Sequence, residues 1–205
     1  MPIRTAEDAA ADLKLHLRPL ATLMDEAHEE FQRECRSIAH KLETGSRASI
    51  YRDLIVRKLR GYCDATANAT TFRKGQLVLV GLESKWILRV KRLRTGYSVA
   101  VGRTVASRQY DGNKMPDYAA DLFPESPAPT CIYFGWSVSE NDPGSINKYL
   151  VCNDEARRFA WALPLDDYGT PPTVTEELPL APPAPTGEAR RVRVKGERPA
   201  RKANE

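Results

Sequence analysis

Residues 76–93 read QLVLVGLESKWILRVKRL, and the reading of this stretch decides the fold. Its apolar residues recur at a period of two, whereas those before it recur every three or four residues. QLVLVGL at 76–82 predicts one strand and WILRVKRL at 86–93 its partner, with Glu83–Lys85 short enough to close a hairpin. Along the second strand, Trp86, Leu88 and Val90 fall on one side and Arg89 and Lys91 on the other.

Upstream, the positions Leu13, Leu17, Leu20, Met24, Ala27, Phe31, Cys35, Ile38 and Leu42 step by three or four, close to a coiled-coil seam. They predict a helix over 6–42 that starts after Thr5 and kinks or breaks at Pro19. A seam this narrow packs on one partner helix, from this chain or from a second copy. Leu13, Leu17, Leu20, Met24 and Phe31 are therefore the candidate partner-binding residues. Ser46 then opens a second helix over 47–63, with Ile50, Tyr51, Leu54, Ile55, Leu59 and Tyr62 on one arc and Arg52, Arg57 and Arg60 opposite. Arg47 and Lys58 fall near the apolar arc, which leaves the amphipathicity imperfect. Residues 64–74 read as a polar turn.

Downstream, YSVAV at 97–101 and TVASRQY at 104–110 read as a further strand, and 111–129 as a long surface loop. A second meander follows in CIYFGW (131–136), YLVC (149–152) and FAWAL (159–163), where Phe159, Trp161, Leu163 and Leu165 alternate with smaller residues. The expected fold is α+β. An N-terminal helical hairpin occupies 1–64, and a mostly antiparallel β-meander at 72–166 packs on it as one domain. Seven of the fifteen prolines lie between Pro171 and Pro199, so 168–205 is expected to be a disordered, Pro-rich and basic tail.

Charge is unevenly placed. The chain carries 31 Lys+Arg and 27 Asp+Glu, a net +4. Residues 47–108 hold 14 basic and 3 acidic side chains, net +11, while 109–185 hold 4 and 12, net −8. Such segregation fits either a basic binding face or two blocks that neutralise each other within the fold.

Several function classes lose support at this stage. No apolar run approaches the roughly 18–20 residues of a membrane-spanning helix, and the N-terminus lacks a signal-peptide core, so a cytoplasmic protein without a membrane partner is expected. The sequence contains no GxxxxGK[ST], no GxGxxG after a strand and no GxSxG, so no cofactor is expected. Cys35, Cys63, Cys131 and Cys152 form no CxxC pair, and Cys131 and Cys152 read as buried structural thiols. His16, His28 and His40 are twelve apart, point to different sides of a helix and read as surface residues. The run His28-Glu29-Glu30-Phe31-Gln32 starts like a zinc-protease helix, but Gln32 stands where the second imidazole is required, so no metal site is expected there.

Two patterns remain. Arg52, Arg57 and Arg60 on the helix, Arg73 and Lys74 after it, and Arg89, Lys91, Arg92 and Arg94 on the hairpin form a candidate track for the phosphates of DNA or RNA. Tyr97 and Tyr110 are candidate base-stacking residues. The rival is the E-x-K spacing of Glu83-Ser84-Lys85, found beside an apolar strand in restriction-type nucleases; with Asp53 it would complete a Mg²⁺ site.

The stretches YRDLIVRKLR (51–60), ILRVKRL (87–93), IYFGW (132–136), YLVC and FAWAL resemble bacterial and phage proteins encoded beside helix-turn-helix regulators and metallopeptidases. The resemblance implies an accessory or regulatory role in a mobile-element or defence-type system, with a protein partner. The expectation from the sequence is a non-enzymatic binding protein that contacts nucleic acid through 47–108. The alternatives are an adaptor or antitoxin-like protein that works through the helix seam, as a heterodimer or homodimer, and a metal-dependent nuclease using Asp53, Glu83 and Lys85.

Overall fold

The structure, a computed structural model, describes residues 3–74, 77–100, 102, 104–114, 129–139 and 144–168, with only the backbone of Lys74. All of these belong to the unit Met1–Pro171. The expected disordered tail from Gly169 onward and the loop at 115–128 lie outside the described residues.

The chain starts with α1 (Ala6–Asp12), held by a full capping box in which Thr5 and Asp8 exchange side-chain-to-backbone hydrogen bonds. The helix is interrupted at Leu13, and α2 (Lys14–Cys35) continues past Pro19. The expected break at Pro19 is thus displaced by six residues: Leu13, fully buried, turns the chain so that both segments keep their apolar faces on the core. α3 (Thr44–Asp64) returns antiparallel, as the pairs Phe31–Tyr51, Glu26–Lys58 and His16–Tyr62 show.

Among the described residues six strands follow in the spatial order of the sequence: β1 (Ala69–Lys74), β2 (Leu77–Leu82), β3 (Trp86–Arg92), β4 (Thr130–Val138), β5 (Ile146–Asn153) and β6 (Phe159–Pro164). Neighbours are antiparallel except β3 and β4, which run parallel with Arg92 opposite Trp136. A parallel pair needs a crossover, and the segment TVASRQY supplies it as a helix, α4 (Val105–Asp111), rather than as the expected strand. Thr104 caps α4 by accepting from the Ser107 amide, and this local bond outweighs the strand preference of Thr104 and Val105. Within YSVAV, Val99 pairs with Leu93. The polar turn expected over 64–74 is likewise partly a strand, because the edge strand β1 needs few apolar residues.

The sheet is covered on both faces. On one, Val78, Val80, Leu82, Trp86, Leu88, Val90, Phe134 and Leu150 meet α2 and α3. On the other, Leu79, Ile87, Leu93, Tyr133 and Val151 meet Tyr110 of α4. The Tyr110 hydroxyl lies 2.8 Å from the Ile87 carbonyl and 2.6 Å from that of Ile132, donating to the junction between β3 and β4. Tyr110 is therefore an interior clamp and not a base-stacking residue; Tyr97 is likewise engaged, stacked on Phe159 and edge-on to Tyr149. Phe159 reaches that face because a bulge opposite Cys152 and Asn153 shifts the expected alternation of β6.

The helix seam is consumed inside the chain. Leu13, Leu17, Leu20 and Met24 are at most 1% exposed and belong to the core shared with α3 and the sheet, and Phe31 packs against its edge. Each such side chain contributes about 1.5–3 kcal/mol by leaving water. Leu13, Leu17, Leu20 and Met24 are thus not open to a partner or a second copy. All four cysteines are buried and free. Burial, with Cys152 beside it, pushes the Cys131 thiol up to about 12, so it stays protonated and non-nucleophilic. No helix among the described residues is long and apolar enough to cross a membrane.

Candidate nucleic-acid interface

α3 presents Arg52, Val56 and Arg60 at successive turns, with Asp53 and Arg57 beside them, so one face carries three guanidinium groups. β1 lies alongside and adds Arg73, whose register partner Val78 floors the gap. Arg52, Arg57, Arg60 and Arg73 thereby line one open cleft of about 370 Å³.

Carboxylates temper this charge. Asp53 accepts from Arg52 at 3.0 Å, and Glu30 of α2 accepts from Arg57. The hydrogen bond from Arg57, against a smaller desolvation cost, holds the Glu30 carboxyl below its usual range. Exposed pairs of this kind are worth ~0–1 kcal/mol, so an incoming phosphate can exchange with them at small cost. The carboxylates that pair with Arg57, Lys58 and Lys85 come from α1 and α2 (Glu30, Glu26 and Asp12), not from the acidic 109–185 block.

The remaining predicted cations lie elsewhere. Arg89 and Lys91, being on the other face of β3, point under α4: Arg89 donates to Ser107 Oγ and sits over the Tyr110 ring, and Lys91 donates to the Ala100 carbonyl. Burial first, then the charges of Arg89 and Arg52, pushes the Lys91 ammonium down to about 8. Arg94 is exposed beyond the end of β3. Arg92 faces the helices and lines a second pocket with Arg47. The side chain of Lys74 lies outside the described residues. The single track expected from the sequence is thus split by strand alternation, and four of its nine residues converge.

The three residues of the nuclease alternative are not brought together. Asp53 lines the arginine cleft beside Val78. Glu83 and Lys85 follow the other end of β2, about 16 Å from Val78 at ~3.3 Å per residue. Glu83 is hydrogen-bonded to His16, and Lys85 to Asp12. Among the described residues no group of three or more His, Cys, Asp or Glu is placed to hold a metal ion. His16, expected at the surface, is buried between Glu83 and Tyr62.

The sequence reading missed the second pocket. It lies beyond the ends of β3 and β4 and is lined by Phe31, Tyr51 and Trp136 together with His28, Arg47 and Arg92. The signal available for it was Arg47, a cation near an otherwise apolar helical arc. Comparisons with protein-family models, with curated proteins and with solved structures return no match to the chain.

Proposed function

We propose that this is a non-enzymatic binding protein that holds the sugar–phosphate backbone of a nucleic acid in the cleft between α3 and β1. The observation that carries this reading is the convergence of Arg52, Arg57, Arg60 and Arg73 on one open concavity. Guanidinium groups suit phosphate because their planar N–H forks match its oxygens. The net +11 of residues 47–108 adds a long-range attraction for a polyanion. An accessory or regulatory role within a bacterial or phage system follows from the sequence resemblance and rests on it alone.

The test is a salt titration of binding to a random-sequence duplex and to single-stranded DNA and RNA. Three or four phosphate contacts predict a log–log slope of about −3 on duplex DNA. Replacing Arg57 or Arg60 by Ala should weaken binding to all sequences alike and flatten the slope by about one unit each. A slope near zero, or unchanged binding in the double variant, overturns the reading.

A further inference from the structure

The second pocket is a concavity separate from the arginine cleft and holds residues that the cleft does not use. It encloses about 410 Å³, within the ~300–1,000 Å³ of small-ligand sites. Arg92 closes β3, its register partner Trp136 lies near the end of β4, and Val138 closes that strand. The pocket therefore sits outside the carboxyl ends of the parallel pair, the location where sheets with parallel strands gather their ligands.

Two chemistries meet there. Phe31, Tyr51 and Trp136 form a chain of rings, with centroids 5.9 Å apart for Phe31–Tyr51 and 4.9 Å for Tyr51–Trp136. The rings stand edge to face, at 67° and 78°, and Tyr51 and Trp136 are nearly buried, so the pocket offers ring edges and the half-buried Phe31 to a flat heterocycle. Arg47 and Arg92 supply positive charge, and among the described residues neither guanidinium has a hydrogen bond or ion pair. Among the described residues no acidic side chain lines the pocket. α3 begins here at Thr44, and its N-cap residue Glu43 makes no side-chain hydrogen bond to the first N–H groups. An anion gains from those open N–H groups as well as from the two arginines. His28 closes one lip, with Nε2 donating to the Gly144 carbonyl at 2.6 Å.

A ligand that satisfies both halves carries an aromatic ring and, a few bonds away, an anionic group. We infer that this pocket binds a nucleoside monophosphate, with its base against the Phe31–Tyr51–Trp136 wall and its phosphate on Arg47 and Arg92. The site is independent of the proposed backbone cleft and shares no lining residue with it.

The test uses the full chain and titrates AMP, GMP, CMP and UMP by calorimetry, with tryptophan emission as a second signal. At least one nucleotide should bind and change the tryptophan emission of the chain. Adenosine or guanosine without the phosphate should bind more weakly. Arg92→Ala should weaken binding roughly 10–100-fold, the worth of a charge-assisted contact. Arg47→Glu, at an exposed position that leaves the core intact, should abolish it. Arg57→Ala and Arg60→Ala, which test the cleft, should leave it unchanged. The proposal fails if none of the four nucleotides binds, if binding survives both the Arg92 and Arg47 substitutions, or if it follows Arg57 and Arg60 instead.

Discussion

His16 Nε2 of α2 lies 2.8 Å from Glu83 Oε1 in the turn between β2 and β3, and this contact ties the first half of the helical layer to the sheet. The carboxylate accepts a hydrogen bond from Nε2, and Nδ1 lies 2.5 Å from the Tyr62 hydroxyl, so a third element, α3, joins the chain. His16 is 2% exposed, and Glu83 adopts a positive φ of 51° to reach it.

Removing the acceptor strands a buried N–H. Glu83→Ala should therefore lower stability by about 1–3 kcal/mol, and Glu83→Gln by much less. Chemical denaturation of both variants checks this. Equal losses would show that turn strain, and not the hydrogen bond, sets the cost.

Lys148 of β5 is 6% exposed, and its ammonium lies 2.5 Å from Asp25 of α2 and 3.4 Å from Asp166. Both carboxylates are partly exposed, so deleting the lysine leaves them free to take up water and costs less than the ~3–5 kcal/mol of a fully buried pair. Lys148→Ala should destabilise by about 1–3 kcal/mol, and Lys148→Met, which keeps the apolar stem, should cost less. A thermal melt that is unchanged by Lys148→Ala contradicts the assignment.

Gly135 of β4 has no room for a side chain: an added Cβ would stand 2.6 Å from Leu93 Cγ. Gly135→Ala should destabilise by ~1–3 kcal/mol through overpacking. The double variant with Leu93→Ala should cost less than the sum of the two single changes, because the second relieves the first. Strict additivity in the cycle would rule out the steric account.

Lys91 gives a pH signature. Its folded value of about 8 lies below the ordinary 10.5, so the charged form is disfavoured on folding. Below about pH 8 both states hold the proton and the cost is constant. Between about pH 8 and 10.5 the unfolded chain binds more protons, so this group makes stability rise with pH. Comparing wild type with Lys91→Met by denaturant titration at about pH 7 and about pH 10 isolates it. The variant should be more stable at the lower pH and lose that advantage at the higher one. An equal difference at both values overturns it.

The sequence made some of this legible. Alternation along WILRVKR assigned Trp86, Leu88 and Val90 to the buried face and Arg89 and Lys91 to the other. Helical spacing put Arg52, Arg57 and Arg60 on one side of α3. Adding Arg73 required β1, which its threonines and single Phe72 did not signal over a turn. The α4 crossover was hidden for a related reason. TVASRQY contains β-formers, and its helix is fixed by Thr104 capping and by Tyr110 reaching two carbonyls that belong to distant strands. His16 looked exposed because its partners, Tyr62 and Glu83, lie 46 and 67 residues away. The aromatic pocket draws on α2, α3, β3 and β4 at once, so no local pattern encodes it.

Tyr110 also has a consequence for how the molecule comes together. Strands β1 to β3 form one ribbon and β4 to β6 another, each contiguous in sequence, and they touch along a single seam. Closing each ribbon costs little loop entropy; zipping them together costs more, because the intervening chain must be ordered first. We predict that the ribbons assemble early and weld late. Amide exchange in Tyr110→Phe should then quicken at the β3–β4 edge before it does anywhere within either ribbon. The phenol acts as the rivet.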